Sequence, residues 1–428
     1  MNCVLKKFVE ASVSLEDRFE DSHYDVAWLL GILLDCHLEF RESVTRSNVA
    51  KIDVVNIGQE TGFCSHLLKL TIRFVDSTET PISFVLKIPS ADRICQRMGD
   101  SWNMQEKLKE NMSRQILNSH NVEIDAYSIL SKIPVSVFPL PRVFFTERYS
   151  PNIDGIIIME NLSDRASSLP FGVSVNADQA FNFVRCVANF QTYVQCSIPR
   201  NKWYGRFTKN IHVSTESEGG EFKADSLRKA MSLRNSELEK QLERILSIDW
   251  YQFSKFAIID KAKEYNANTL AHGDTWCNNV MFRLNSDGSI GNKIEGIVDW
   301  QTMFEGSALF DLARFLVFSA DPEIRRAIQH QLVDLFYAEL TNNFAIHDLT
   351  PPFTLDQAHE LFLLAAFHQT PMLVTYYALI YEPMERSESE VDRLRAENAW
   401  SKVRLAFEDA ESVWDKYRIL EQFGKQTN

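Results

Sequence analysis

A chain of 428 residues, 45% hydrophobic and 24% charged, holds enough apolar material for a large core and should divide into two or three domains. Its formal charge of -13 argues against a protein that tracks a nucleic-acid backbone, which needs a basic face. The seven cysteines are scattered without a C-x-x-C pair, as reduced thiols are. Lys6 and Lys7 run into the acidic stretch of Glu16, Asp17 and Glu20 instead of the apolar run of a signal peptide, so a cytoplasmic protein is expected. The two most apolar stretches, 26–34 and 361–380, are respectively too short and interrupted by His368, Gln369 and Pro371. No membrane span is expected.

In chain order, β-branched runs over 52–57, 63–75 and 82–88, with a turn at 76–80, read as an antiparallel meander. The polar stretch 103–130 follows; in its second half Ile116, Val122, Ile124, Tyr127 and Leu130 give a helical spacing that Pro134 closes. Two further apolar runs, 142–145 and 155–159, complete a mixed five-stranded sheet with one principal helix. Beyond Asn161 the apolar residues recur at helical spacing over 181–194, 222–248 and 251–265. One hairpin interrupts them, 280–284 with 294–298, joined by Asn285-Ser286-Asp287-Gly288. Helical patterns resume from Ala308, with acidic loops at 214–221 and 383–390.

The chemistry concentrates in His272-Gly273-Asp274 and Asn279, a pattern H-x-D-x-x-x-x-N between apolar flanks. Phosphoryl transfer needs a carboxylate to engage the attacking hydroxyl and, a few residues on, an amide oxygen to reach a magnesium ion. Val298-Asp299-Trp300 ends the other strand of the hairpin, and pairing of the two strands brings Asp299 beside Asn279. Oxygen donors of this kind suit magnesium, which leaves the rest of its shell to water and phosphate.

Together with Asp311-Leu312-Ala313, these residues resemble the choline-kinase-like and ecdysteroid-kinase-like branch of the aminoglycoside phosphotransferase superfamily. In the first half, Ile57 to Ser65 resembles the nucleotide-covering turn, 84–88 the strand bearing the phosphate-binding lysine, and 156–162 the strand and hinge that seat adenine. The resemblance implies an α+β, two-lobed protein-kinase-like fold: an antiparallel-sheet nucleotide-binding lobe over 1–161 and a mainly helical catalytic and acceptor-binding lobe over 162–428. It implies ATP and Mg2+ as cofactors and a small-molecule hydroxyl as acceptor, with no protein partner evident. Asp274 would be the catalytic base, Asn279 and Asp299 the metal ligands, and Lys87, paired with Glu123, the phosphate contact.

Some readings stay open at this stage. Asp125 and Glu106 are rival partners for Lys87, which alone would also read as a strand lysine reaching to solvent. His272 and Asp311 read as structural support for the loop. The stretch 362–381, with Phe367, His368, Tyr376, Tyr377 and Tyr381, is either a core helix or an acceptor lining. Gly273 stands where protein kinases carry arginine, and no A-P-E segment follows, so a protein substrate is not expected. The expected activity is ATP- and magnesium-dependent phosphorylation of a small alcohol, steroid-like in view of the aromatic content. The alternative is an inactive pseudokinase or ligand-binding scaffold.

Overall fold

The computed structural model describes residues 5–58, 64–90, 106–209, 211–213, 227–228 and 238–425. The turn 59–63, the loop 214–221 and the Glu106 side chain lie outside the described residues. The chain separates into two compact units: Met1–Ser131 with Pro141–Asp164, and Lys132–Leu140 with Arg165–Asn428.

In the first unit, α1 (Val26–Cys36) and α2 (Leu38–Arg46) precede the sheet strands β1 (Val49–Asn56), β2 (Ser65–Phe74) and β3 (Ile82–Pro89). After α3 (Glu106–Leu130) come β4 (Val143–Glu147) and β5 (Ile156–Glu160). The strand order is β1-β2-β3-β5-β4. Every pairing in this sheet is antiparallel, as the resemblance implied, which corrects the mixed sheet read from the apolar runs. The reason lies in the connection: α3 returns the chain to the outer edge as β4, and the tight reversal into β5 lays that strand antiparallel to β3.

Side chains alternate across a strand, and β3 shows what that does here. Phe84, Leu86 and Ile88 join Leu70 and Ile72 of β2 and Leu29, Leu30, Leu33 and Phe40 of the two leading helices in one apolar core. Lys87 sits at the alternate position, and α3 supplies its partner from the other face. The apolar run 26–34 is therefore core; Asp25 caps α1 by accepting from Trp28 N. No helix among the described residues is long and apolar enough to cross a membrane.

The second unit is mainly helical. Its first long helix is α4 (Ala177–Cys196), closed at the N-terminus by a capping box between Asn176 and Gln179. Short strands follow, which we label β6 (Asn268–Ala271), β7 (Val280–Leu284), β8 (Ile290–Ile297) and β9 (Phe304–Ser307). β7 and β8 form the expected hairpin, turning on Gly288 at φ 82, while β9 pairs antiparallel with β6. Then come α5 (Phe310–Ser319), α6 (Pro322–Ala345), α7 (Leu355–Tyr376) and α8 (Glu390–Lys416). A wide π-type turn, Tyr377–Tyr381, extends α7. The expected loop 383–390 is partly helical, because Pro383 starts the turn Glu382–Glu385 at a first-turn position where a missing N–H costs nothing.

Candidate active site

The loop between β6 and β7 carries the H-x-D-x-x-x-x-N residues, and one buried carboxylate shapes it. Asp311, on the first turn of α5, accepts the backbone N–H of His272 at 2.8 Å and of Gly273 at 3.0 Å. Its own carbonyl accepts from the Thr275 hydroxyl at 2.8 Å. Burial pushes the Asp311 carboxyl above its ordinary range, while the His272 side and the two N–H donors pull the other way.

His272 ties the loop to the end of the hairpin. Its Nε2 lies 2.9 Å from the Val298 carbonyl and its Nδ1 accepts from Asp274 N at 3.2 Å, which sets the tautomer with the proton on Nε2. The ring packs on Trp300 at 4.4 Å between centroids. Gly273 has φ +89, and a Cβ there would lie 2.4 Å from the Thr302 carbonyl oxygen. Only glycine meets both demands, which accounts for the departure from arginine at this position. Gly273→Ala is expected to destabilise the fold by about 1–3 kcal/mol, read as a lowered denaturation midpoint.

Asn279 donates its Nδ2 to the Asp274 carbonyl at 2.9 Å and to Asp274 Oδ2 at 3.1 Å. With both donors spent on Asp274, its amide oxygen is the atom left to meet a cation. The Asn279 carbonyl accepts from Val298 N at 3.0 Å, so the register delivers Asp299 next along the facing strand. Asp299 itself has φ 69, an uncommon left-handed position for a non-glycine residue. Among the described residues no three His, Cys, Asp or Glu cluster as a metal site. One amide oxygen with one carboxylate is instead a donor set that fits magnesium, whose shell is completed by water and phosphate.

Two further residues meet Asp274, of which Arg314 carried no signal in the sequence. Arg314 of α5, with 1% of its side chain exposed, donates from an Nη to Asp274 Oδ1 at 2.6 Å. The same guanidinium donates to Gln369 Oε1 at 2.9 Å and to the Tyr376 hydroxyl at 3.0 Å. Tyr376 in turn donates to Asp274 Oδ1 at 3.3 Å. In the stretch 362–381, Phe362, Leu364 and Phe367 are buried core, and the Tyr376 hydroxyl reaches Asp274.

In the first unit, Lys87 Nζ lies 2.6 Å from Glu123 Oε2, and both side chains are buried. The rival Asp125 pairs with Arg148 at 2.8 Å. Lys87 and Glu123 are thereby brought together in one unit, and His272, Asp274, Asn279, Asp299 and Asp311 gather in the other.

The two units have a two-lobed protein-kinase-like fold. More particularly, the chain belongs to the family DUF1679, described as "Uncharacterized oxidoreductase dhs-27", whose profile matches residues 40–418. It is similar to a choline kinase from Cryptosporidium parvum Iowa II, with a TM-score of 0.50 at 15% identity over 93% of this chain and 99% of that one. An aminoglycoside 2'-phosphotransferase-IIIa in complex with GDP matches with a TM-score of 0.42 at 12% identity, over 90% of this chain and 98% of that one. An uncharacterized kinase-like protein, D1044.1 of Caenorhabditis elegans, is 22% identical over 253 residues, 56% of this chain. The match spans 60% of that relative's length.

Proposed function

We propose that this protein transfers a phosphoryl group from magnesium-bound ATP to the hydroxyl of a small molecule. The observation that carries the reading is the bonded Asp274–Asn279 pair, held in a loop suspended from Asp311. Asp274 receives the acceptor hydroxyl and takes its proton as the new O–P bond forms and the bond from phosphorus to the leaving ADP oxygen breaks. Lys87, oriented by Glu123, contacts the nucleotide phosphates. Asn279 and Asp299 hold magnesium, which supplies charge neutralisation at the transferring group. Positioning and electrostatics do most of this work. The oxidoreductase in the family's description finds no support in the five-stranded sheet, whose pairings are antiparallel where a dinucleotide fold is parallel.

The expected binding result is calorimetric: the purified chain binds ATP with magnesium and not without it, and Asp299→Ala loses the metal-dependent component. Unchanged metal-dependent binding in that variant would sink the metal assignment. For the acceptor, we propose a bulky, largely apolar alcohol of the steroid-like kind. Aromatic rings surround Tyr376, and a polycationic sugar would demand several fixed carboxylates. A screen with labelled ATP over sterols, amino alcohols and aminoglycosides tests this; preference for choline or an aminoglycoside rejects the acceptor class.

One observation favours a second reading. Both oxygens of Asp274 already accept bonds from protein groups, as in a scaffold that keeps the fold without turnover. Tight ligand binding with no transfer to any hydroxyl compound would select it.

A further inference from the structure

Lys and Arg together number 45 in 428 residues, so ten residues hold one cation on average. Residues 200–209 of the second unit hold four, Arg200, Lys202, Arg206 and Lys209, and no carboxylate. In a chain of formal charge -13 this is a local reversal of sign, so an anionic surface is attracted here while the chain as a whole repels it.

Two buried rings, Trp203 and Phe207, root the stretch in the core. The Phe207 N–H donates to the Glu305 carboxylate at 2.9 Å, and the Phe207 carbonyl accepts from Glu305 N at 3.0 Å. Glu305 lies on β9 opposite Leu270 of β6, the strand that leads into the loop of the candidate base. Between the two rings the chain reverses: Tyr204 N donates to the Arg200 carbonyl at 2.8 Å and Arg206 N to the Trp203 carbonyl at 3.1 Å. Gly205 takes φ +83, and a Cβ there would meet nothing within 4 Å, so the turn stands clear of its surroundings.

The turn presents apolar groups among its charges. Tyr204 is 47% exposed and Ile211, just beyond, is 51% exposed. The Arg200 guanidinium lies 4.2 Å from the centre of the Tyr204 ring, so cation and ring are displayed together. Arg206 donates to the Lys202 carbonyl at 3.0 Å, which stiffens the reversal. Among the described residues Arg200, Lys202 and Lys209 form no ion pair.

Exposed apolar side chains on a standing turn insert into a partner; they do not receive one. A ring and an aliphatic side chain among unpaired cations match the surface of an anionic bilayer. Tyrosine is enriched at headgroup level, and the negative leaflet attracts each nearby Lys or Arg. A nucleic acid would need basic residues spread along a track, and an acidic protein would leave Tyr204 and Ile211 without a use. We propose that the turn 200–209, with Ile211, docks the second unit on an anionic lipid surface. This surface is independent of the phosphotransferase reading and needs no nucleotide. It bears on that reading in one respect: an apolar alcohol dissolves in a bilayer, and a unit docked there has its acceptor at hand.

The test is flotation of the full chain, without nucleotide, with two kinds of vesicle: phosphatidylcholine alone, and phosphatidylcholine with about one-third phosphatidylserine. Binding is expected to the anionic vesicles at about 0.1 M salt, to weaken steeply by about 0.5 M, and to be absent with the neutral ones. Arg200→Gln combined with Lys202→Gln should lower the partition coefficient about tenfold or more, and Tyr204→Ser should lower it further. These side chains are exposed, so the denaturation midpoint should not move; the lipid and salt dependence of the unaltered chain stands as a readout even if it does. No binding to the anionic vesicles, equal binding to the neutral ones, or binding that survives the double substitution overturns the proposal. Binding to soluble polyglutamate that is as tight as to the vesicles and indifferent to Tyr204→Ser also overturns it, and assigns the turn to an acidic protein. Phosphate transfer from labelled ATP is measured separately: vesicle binding without transfer to any hydroxyl compound leaves the surface standing and rejects the kinase, and transfer by a chain that ignores vesicles does the reverse.

Discussion

Asp274→Asn should reduce phosphate transfer by about 10²–10⁴-fold while leaving magnesium-dependent ATP binding in place. The side chain keeps its size, but it loses the charge that receives a proton, and one of its two oxygens becomes an NH2 that can no longer accept from Asn279 or Arg314. Single-turnover transfer from labelled ATP, measured beside calorimetric nucleotide binding, separates the two effects. Equal loss of binding and transfer would mean that the substitution had disturbed the loop instead of the chemistry. Full retention of transfer would remove Asp274 from the proposed role.

The second large effect is expected at Arg314. Its guanidinium is the convergence point of Asp274, Gln369 and Tyr376 and lies over the Phe318 ring at 3.8 Å. Arg314→Met leaves Asp274 as a nearly buried carboxylate, 14% exposed, without its counter-charge. Removing one member of a buried pair costs about 3–5 kcal/mol, which denaturant unfolding should show as a lower midpoint at unchanged slope. Combining it with Asp274→Asn should recover part of the loss, because the orphaned charge is gone. A double variant as unstable as the sum of its parts would show that Arg314 acts through packing alone.

What the sequence made legible was what short spacing encodes. His272, Asp274 and Asn279 fall within one loop, and the hairpin register extends the pattern to Asp299, since strand pairing maps sequence distance onto spatial neighbours. Lys87 and Glu123 are further apart, and only the resemblance joined them; their meeting depends on β3 and α3 packing together. Arg314 had no such signal. It lies in Phe310–Ser319, a helix buried along its whole length, and a lone arginine amid Leu312, Phe315 and Val317 reads as an interruption of a core helix. Its partner Tyr376 is a further 62 residues on, brought back by the packing of α7 against α5. The mixed sheet was misread because strand direction depends on where α3 returns the chain, and the apolar runs themselves carry no direction.

Gly273 has a consequence for how relatives of this protein should be compared. The position is closed to other residues by its backbone angle and by the Thr302 carbonyl, whatever reaction the loop performs. Selection that keeps a glycine there is therefore guarding a crowded backbone, and would do so equally in a lineage that had lost catalysis. Persistence of Gly273 is a poor witness to enzymatic activity. The informative divergence is at Asp274, where an asparagine fills the same space but gives up both the charge that receives a proton and one acceptor for Asn279 or Arg314.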